Sequence, residues 1–225
     1  MVKNKKYSII IPAHNEALFI RRVIFSALKS KASEIIVVND GSTDATLDIL
    51  GVIKNKRLKI ISHKNNRGYC ASRKTGIRHS VNDVLVFFDG DVVNPKSEMF
   101  DVLARPVINN EADYVIGKFD NFGRISEFLA RPLTRYFVPK LSKFRQPLSG
   151  LVAIRKRFIF PEKMIDGYGN FGILLDAYFA GARFREVDLG VICHDKRSDE
   201  DKSKHAEEAC RIFFDRLIEN KLIKF

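Results

Sequence analysis

The sequence predicts a single α/β domain with a mainly parallel central sheet flanked by helices. Its 225 residues are 45% apolar and 29% charged, which is enough apolar material for one full core and does not resemble a disordered chain. Between Tyr7 and Asp91, short β-branched runs alternate with helical patterns. This alternation predicts right-handed βαβ crossovers and a parallel sheet, whose ligands collect outside the carboxyl ends of the strands.

The first half of the chain supplies four predicted strands with helices between them. The strands are the apolar runs Tyr7 to Ile11, Glu34 to Val38, Leu58 to Ile61 and Val84 to Phe88. The first helix has one apolar face, formed by Ile20, Val23, Ile24, Ala27 and Leu28. The second helix is expected to begin after Ser42 or Thr43, because either side chain can cap a helix.

The pattern beyond Pro95 is less regular. It predicts a helix near residues 96–109, a strand near 114–118, a helical stretch through Phe128 and a glycine-punctuated segment from 150 to 172. A strand near residues 184–191 and an amphipathic helix close the chain. The apolar positions of that helix recur at helical spacing: Ala206, Ala209, Cys210, Phe213, Leu217 and Ile218.

Composition excludes several classes of protein. The three cysteines form no Cys-x-x-Cys pair, which argues against a disulfide framework or zinc ribbon and favours a reducing cytoplasm. The longest apolar runs hold about five residues, against roughly 18 for a membrane span, so neither a span nor a signal peptide is expected. With 39 Lys and Arg against 27 Asp and Glu, the net charge is +12. This excess predicts an acidic partner, which could be nucleic acid, an anionic membrane surface or a phosphorylated small molecule.

A pair of carboxylates forms the first candidate site. Asp89, Gly90 and Asp91 directly follow the apolar run that ends at Phe88. Mg²⁺ and Mn²⁺ take carboxylate oxygens and share their other positions with water and substrate phosphates. Asp and Gly are also common turn residues, but the position after the fourth strand of a βαβ series favours a divalent-metal site over a solvated turn.

Polar residues also follow the first two strands. The segment 39–44, Asn-Asp-Gly-Ser-Thr-Asp, follows the second strand and opens a helix, so it could hold a nucleoside or only cap that helix. The segment 12–16, Pro-Ala-His-Asn-Glu, follows the first strand, where Asn15 and Glu16 could bind a base or ribose or cap the next helix. The two segments reinforce each other because both should face one crevice.

Two further features are consistent with the same crevice. Asn66, Arg67 and Gly68 precede a helix with Arg73, Lys74 and Arg78, which suits a diphosphate if the basic residues are not simply a solvated face. His194 follows a predicted strand, and its neutral imidazole could complete the metal site or be structural.

In this order, the segments Ile-Pro-Ala-x-Asn-Glu, Val-x-Asp-Gly-Ser-Thr-Asp, Asn-x-Gly and Asp-x-Asp resemble the nucleotide half of a family 2 type glycosyltransferase with the Rossmann-like GT-A fold. Segments of the second half resemble the glucosyl-3-phosphoglycerate synthase family, and the resemblance spans roughly residues 7–197. The second-half segments are 123–127, 130–133, 146–150, 167–169 and 188–191.

The resemblance implies a nucleotide-sugar-dependent hexosyltransferase that moves glucose, with UDP-glucose as the first expectation, to 3-phosphoglycerate with retention of configuration. It implies a divalent metal, Mg²⁺ or Mn²⁺, held by Asp89, Asp91 and His194, with the two aspartates also catalytic. It implies that residues 1–93 form the nucleotide-sugar half and 94–225 the acceptor half. Residues matched to the nucleotide sugar are Pro12, Ala13, Asn15, Glu16, Asp40, Ser42, Arg67, Gly68 and Gly90. Residues matched to the acceptor are Gly123, Arg124, Ser126 and Lys196.

Departures from the family pattern leave alternatives open. A family glutamate soon after Gly-Tyr-Gly is missing at Gly169-Asn170-Phe171-Gly172, and Lys196 replaces a family asparagine. The donor base, uracil or guanine, and the sugar, glucose or mannose, therefore stay open. The runner-up is an inverting transferase acting on polyprenyl phosphate at a membrane surface, with Asp166 or Asp176 as general base.

Two alternatives without catalysis are a sugar-nucleotide sensor and a nucleic-acid-binding protein. The second is disfavoured because the basic residues are spread along the chain and the paired acids would repel a phosphate backbone. We therefore expect no nucleic-acid partner. The sequence leaves a homodimer and peripheral membrane contact open.

Overall fold

A computed structural model describes residues 6–120, 125–164, 169–193 and 199–223. Within these residues, seven strands form one sheet and seven α-helices flank it. The strands are β1 Tyr7–Ala13, β2 Glu34–Asp40, β3 Leu58–His63, β4 Val84–Phe87, β5 Tyr114–Lys118, β6 Val152–Arg155 and β7 Phe184–Asp188. The helices are α1 Ile20–Lys29, α2 Thr46–Gly51, α3 Tyr69–His79, α4 Ser97–Ile108, α5 Arg131–Phe137, α6 Gly169–Phe179 and α7 Asp199–Glu219, and a π-helical turn, Ser126–Ala130, leads into α5.

The sheet is mainly parallel, as predicted. Its strand order is β3-β2-β1-β4-β6-β5-β7, and β1 pairs in parallel with both β2 and β4. The antiparallel strand is β6, which lies between β4 and β5 with Phe87 opposite Val152. Because β6 runs in the opposite direction, the residues just before it lie at the same edge of the sheet as the carboxyl end of β4. That edge carries the candidate site.

Alternate strand residues fill two apolar layers, one on each face of the sheet. In β1, Ile9 and Ile11 join one cluster and Ile10 joins the other. The predicted apolar face of α1 is buried in the first cluster, and Phe213 of α7 is buried in the second. Burial on both faces explains why the strands read as continuous apolar runs. Within the described ranges, no helix has the length and apolarity that crossing a membrane requires.

Three sequence-based expectations for the elements need correction. The strand β6 was not predicted, because its apolar run, residues 151–154, is short and lies within the glycine-punctuated segment. The helix α2 begins at Thr46, so neither Ser42 nor Thr43 caps it; the Asp44 carboxylate accepts the Thr46 backbone N–H instead, at 2.9 Å. The last strand ends at Asp188 rather than near Val191.

A buried carboxylate connects the three strands of the second half of the sheet, β5, β6 and β7. Asp113, just before β5, accepts hydrogen bonds from Arg183 Nε at 2.8 Å and from the Arg183 backbone N–H at 3.2 Å. Arg155 and Arg157 also pair with it, each at 3.4 Å. The Arg183 guanidinium, helped by Arg155, holds the pKa of Asp113 below its usual range despite burial. The carboxylate therefore joins residues next to β5, β6 and β7.

Replacing Asp113 with Asn should destabilise the protein in a pH-dependent way. Because the folded-state pKa is depressed, the stabilisation is complete above the unfolded-state pKa of about 4 and is lost as pH falls through the folded-state value. At pH 7 we expect a loss of about 2 kcal/mol, typical of charged hydrogen bonds, or a melting temperature lower by about 4–8 °C.

Thermal unfolding of the unmodified protein and of D113N between pH 7 and pH 3 measures this difference in stability. Asp83→Asn is the matched control, since Asp83 also pairs with Arg155 but its side chain is 60% exposed. We expect the D113N difference to shrink below pH 4 and the D83N difference to stay small throughout. A D113N difference that does not change with pH would contradict the assignment.

Candidate active site

The candidate site lies where the loops after β1, β2 and β4 meet at one edge of the sheet. The chain places β2 and then β3 on one side of β1, and it then returns to place β4 on the other side. Such a switch point opens a crevice outside the carboxyl ends of the strands. The predicted segments 12–16 and 39–44 begin in the last two residues of β1 and β2, and the segment 89–91 follows β4, so the structure brings all three to the same crevice.

The first two loops are joined by hydrogen bonds. Asn15 adopts a left-handed backbone conformation, with φ at 57°, and its side-chain Oδ1 accepts the Thr43 backbone N–H at 2.8 Å. The Asn15 backbone N–H donates to Ser42 Oγ at 3.0 Å, and the Glu16 backbone N–H donates to Thr46 Oγ1 at 2.8 Å. Asn15 and Ser42 therefore hold the two loops together.

Asp40 forms the buried floor between the second and third loops. Its carboxylate Oδ1 accepts the Arg67 backbone N–H at 3.0 Å and contacts His63 Nδ1 at 2.6 Å. Its backbone carbonyl accepts a hydrogen bond from His14 Nδ1 at 2.9 Å. The Arg67 side chain is exposed. The three loops after β1, β2 and β3 are thus connected through one aspartate.

Two glycines allow this close packing. Gly41 has a φ of 64°, and a Cβ on it would overlap the backbone of Asn65 in the third loop. A Cβ on Gly90 would lie 2.9 Å from the carbonyl oxygen of Pro12 and 3.4 Å from Glu16 Cγ. Gly90 therefore lies directly against the first loop, with the two candidate metal ligands on either side of it.

Asp89 and Asp91 are both half-buried. The Asp89 carboxylate accepts a hydrogen bond from the Tyr69 hydroxyl at 2.8 Å, which brings the first turn of α3 beside it. The other side of the carboxylate lies against Gly150, where a Cβ would come well within 3.0 Å of Asp89 Oδ2. The Asp89 carboxylate is therefore held between α3 and the residues that precede β6.

The segment before His194 runs beside the loop that carries Asp91. The Val93 backbone N–H donates to the Cys193 carbonyl at 2.8 Å, and the Cys193 backbone N–H donates to Asn94 Oδ1 at the same distance. His194 itself lies outside the described residues. Among the residues that are described, no group of three or more His, Cys, Asp and Glu side chains is gathered for a metal.

The chemistry of the donor set nevertheless suits a hard divalent cation. The described chain offers two carboxylates, from Asp89 and Asp91, and a glycine cradle beside the first of them. Mg²⁺ and Mn²⁺ are usually bound by one or two carboxylates together with substrate phosphates rather than by a closed protein cage. The residues present therefore fit such an ion.

The acceptor residues are only partly described. Ser126 is buried at the start of the π-helical turn. Gly123, Arg124 and Lys196, like the candidate base Asp166, lie outside the described residues. The other candidate base, Asp176, is buried and its Oδ1 accepts a hydrogen bond from Arg216 Nε of α7 at 2.7 Å. Asp176 therefore joins α6 to α7 and has the structural role that the sequence left open for it.

Four residues of this neighbourhood were not singled out as site residues in the sequence: Tyr69, Arg73, Gly150 and Asn170. The one local indication that Tyr69 belongs to the site is that it directly follows the Asn-Arg-Gly segment. Arg73 was grouped with Lys74 and Arg78 as a basic face, but it is fully buried. Gly150 and Asn170 reach the site through long-range packing, which a single sequence does not reveal.

Comparison with known proteins identifies the family. The family model described as glycosyl transferase family 2 matches residues 8–179. The chain belongs to this family. The expectation of a nucleotide-sugar-dependent glycosyltransferase is therefore confirmed.

Curated relatives of two kinds are similar to this member of family 2. Glucosyl-3-phosphoglycerate synthase from Mycobacterium tuberculosis is 27% identical over 219 residues, covering 84% of this chain and 67% of the relative. The protein of that name from Petrotoga mobilis is 28% identical and covers 94% of this chain and 73% of the relative. A dolichol-phosphate mannosyltransferase from Pyrococcus furiosus is 28% identical and covers 82% and 55%.

Solved structures confirm the GT-A fold. The crystal structure of the Mycobacterium tuberculosis glucosyl-3-phosphoglycerate synthase with Mn²⁺, UDP and glucosyl-3-phosphoglycerate has a TM-score of 0.83 at 24% identity, covering 95% of this chain and 80% of that one. The structure of that enzyme with Mg²⁺ and UDP has a TM-score of 0.84, again at 24% identity, and covers 95% and 79%. At this identity the likeness establishes the fold.

Proposed function

We propose that this glycosyltransferase moves glucose from UDP-glucose to a small phosphorylated acid such as 3-phosphoglycerate, with a divalent cation, Mg²⁺ or Mn²⁺. The observation that carries the proposal is the position of Asp89 and Asp91 at the carboxyl end of β4, beside the joined loops after β1 and β2. Residues 1–93 would then bind the donor, and residues 94–225 would supply the acceptor side. The names of the synthases similar to this chain support the choice of acceptor.

The donor half is built to hold a nucleoside diphosphate. Asn15 and Ser42 join the first two loops into one wall, and Asp40 lies at its floor, where the nucleoside would sit. Pro12, Ala13, Glu16, Gly68 and Gly90 complete the set assigned to the donor. The N-terminus of α3 lies beside Asp89, so its free N–H groups and Arg67 would face the diphosphate.

Asp89, Asp91 and His194 would hold the cation against the diphosphate. When bound there, the cation would supply Lewis-acid stabilisation of the departing nucleoside diphosphate. The acceptor's phosphate and carboxylate would be bound by Gly123, Arg124, Ser126 and Lys196, since two basic side chains suit a small polyanion. These contacts would orient the acceptor hydroxyl toward the anomeric carbon.

Retention of configuration is the outcome that we propose. The acceptor hydroxyl would approach from the side of the leaving group as the bond between the anomeric carbon and the phosphate oxygen breaks. The hydroxyl oxygen would bond to the anomeric carbon on that side, and the released phosphate oxygen would take the hydroxyl proton. This route needs no protein base. Inversion needs a carboxylate on the opposite face, and the burial of Asp176 against Arg216 removes one of its two candidates.

The runner-up is transfer to a polyprenyl phosphate at a membrane surface. Its support is the similarity to a dolichol-phosphate mannosyltransferase and the net charge of +12, which suits anionic lipid. In either case a reducing cytoplasm is the compartment that we propose, and all three cysteines are free thiols in the structure. A homodimer stays a prediction.

Incubating the purified protein with a panel of donors would test the proposal. The panel contains UDP and GDP sugars, and each reaction contains either 3-phosphoglycerate or a polyprenyl phosphate as acceptor, with Mg²⁺ or Mn²⁺ and with a chelator as control. We expect a metal-dependent hexosyl-phosphoglycerate from UDP-glucose, detected by mass spectrometry, with its anomeric configuration read by NMR. Product with polyprenyl phosphate alone would favour the runner-up, whereas the absence of both transfer and donor hydrolysis would contradict the proposal.

A further inference from the structure

A buried arginine, which the proposed mechanism does not use, lies behind Asp89. Arg73, in the middle of α3, has no exposed surface and is the largest fully buried side chain among the described residues. A buried guanidinium is costly unless it is paired and fully hydrogen-bonded. Its persistence at this position therefore calls for a physical reason.

The direct partners of Arg73 are neutral. Its guanidinium carbon lies 4.4 Å from the ring centroid of Tyr69 and 4.4 Å from that of Phe87. One terminal nitrogen donates to Asn170 Oδ1, the other donates to the Gly150 carbonyl at 3.0 Å, and Nε has no hydrogen-bond partner. Within the described ranges, Arg73 forms no ion pair, so its charge is not balanced by a contacting carboxylate.

The contacts of Arg73 converge on Asp89. The Tyr69 ring covers the guanidinium, and the Tyr69 hydroxyl donates to Asp89 Oδ1 at 2.8 Å. Gly150, whose carbonyl is bound by Arg73, is the residue against which the Asp89 carboxylate packs. Both sides of that carboxylate are therefore set by groups that Arg73 holds. The same side chain links α3 to Asn170 at the start of α6.

We infer that Arg73 and Tyr69 are positioning residues that fix the Asp89 carboxylate in the orientation that binds the metal. Tyr69 does so by a direct hydrogen bond, and Arg73 does so by fixing Tyr69 and Gly150. The Arg73 charge also offsets part of the negative charge of the paired acids. This inference rests on the proposed metal role of Asp89, and it adds the residues on which that role depends.

Mn²⁺ binding tests the inference without turnover. Tyr69→Phe removes one hydroxyl at the accessible end of α3 and leaves the ring over Arg73. We expect the dissociation constant of Mn²⁺, titrated into the protein with saturating UDP, to rise about tenfold, as is typical when a partner of a metal ligand is lost. Tyr136→Phe is the matched control, because Tyr136 is 80% exposed. UDP binding in the presence of a chelator should be unchanged in both.

Arg73→Lys keeps the charge but loses the two-pronged hydrogen bonding. We expect it to weaken Mn²⁺ binding in the same direction, and we expect the double variant with Tyr69→Phe to be less than additive, because both changes act on Asp89. Arg78→Lys, on the exposed end of the same helix, is its control. An Arg73 with a purely structural role would lower the melting temperature and leave the Mn²⁺ dissociation constant unchanged.

Asp89→Asn distinguishes a failure of the positioning role from a failure of the proposed metal role of Asp89. Loss of Mn²⁺ binding in D89N, with normal binding in Y69F and R73K, would overturn the positioning role and leave the proposed function standing. Normal Mn²⁺ binding in D89N would show that Asp89 is not a metal ligand, which would overturn the positioning role and leave the cation of the proposed function to Asp91. Weakened binding in D89N, Y69F and R73K, with both controls unchanged, is the result that we expect.

Discussion

Replacing Asp91 with Ala should abolish sugar transfer while the protein stays folded. The side chain is half-buried in the loop after β4, so its removal leaves no cavity in the core. If Asp91 holds the cation on the diphosphate, its loss removes several kcal/mol of leaving-group stabilisation, which corresponds to a fall in rate of about a thousandfold or more. The rate of product formation from UDP-glucose, measured together with the melting temperature, checks this.

The control for this variant is Asp83→Ala. Asp83 immediately precedes β4 and Asp91 lies in the loop after it, so the two aspartates lie beyond opposite ends of the same strand. Its exposed pair with Arg155 contributes little stability, and we expect D83A to transfer sugar at the normal rate. Activity of D91A that is retained, or is restored by added Mg²⁺ or Mn²⁺ to the unmodified level, would refute the metal role.

Most strands that are buried on both faces of the sheet could be predicted from sequence. Such strands read as unbroken β-branched runs, and this is true of β1, β2 and β4. The strand β6 is as short as β4, but it contains alanine, a weak strand former, and lies within the glycine-punctuated segment, so it was not predicted. Its placement between β4 and β5 depends on pairing between residues that are distant in the chain.

The candidate site was predictable at the level of loops but not of contacts. Strand ends gave the positions of Asp40 and Asp89, since parallel strands present their carboxyl ends at one edge. The capping of α2 was predicted wrongly, because Ser42 and Thr43 have the chemistry of caps but their hydroxyls are hydrogen-bonded to Asn15 of the neighbouring loop. Local sequence cannot distinguish these two uses of the same hydroxyl.

The burial of Arg73 is a second feature that local sequence could not predict. Its neighbours Lys74 and Arg78 made it look like part of a solvated face, and nothing local marks it as buried. Its partners Gly150 and Asn170 are 77 and 97 positions away in the chain. A residue of this kind is found only when packing is known, and it is also the residue from which the support of Asp89 could be inferred.

Replacing Gly150 with Ala should impair catalysis far more than stability. The backbone of Gly150 is not in the left-handed region, so alanine can adopt its backbone conformation. The obstacle is the Asp89 carboxylate, which a Cβ at Gly150 would overlap and which can swing away because it ends a side chain. Displacing a metal-binding group by about 1 Å can lower the rate about a hundredfold. We expect a fall of that size in kcat/KM, with weaker Mn²⁺ binding.

The matched control for Gly150→Ala is Gly51→Ala. A Cβ on Gly51, at the end of α2, meets no atom within 4 Å, and its backbone is likewise outside the left-handed region. We expect G51A to be as active as the unmodified protein, and both variants to melt within a few degrees of it. Unchanged kcat/KM and Mn²⁺ binding in G150A would mean that the Asp89 carboxylate can move without consequence. Asp89 would then not be a metal ligand, and the cation would have to be held by Asp91 without its neighbour.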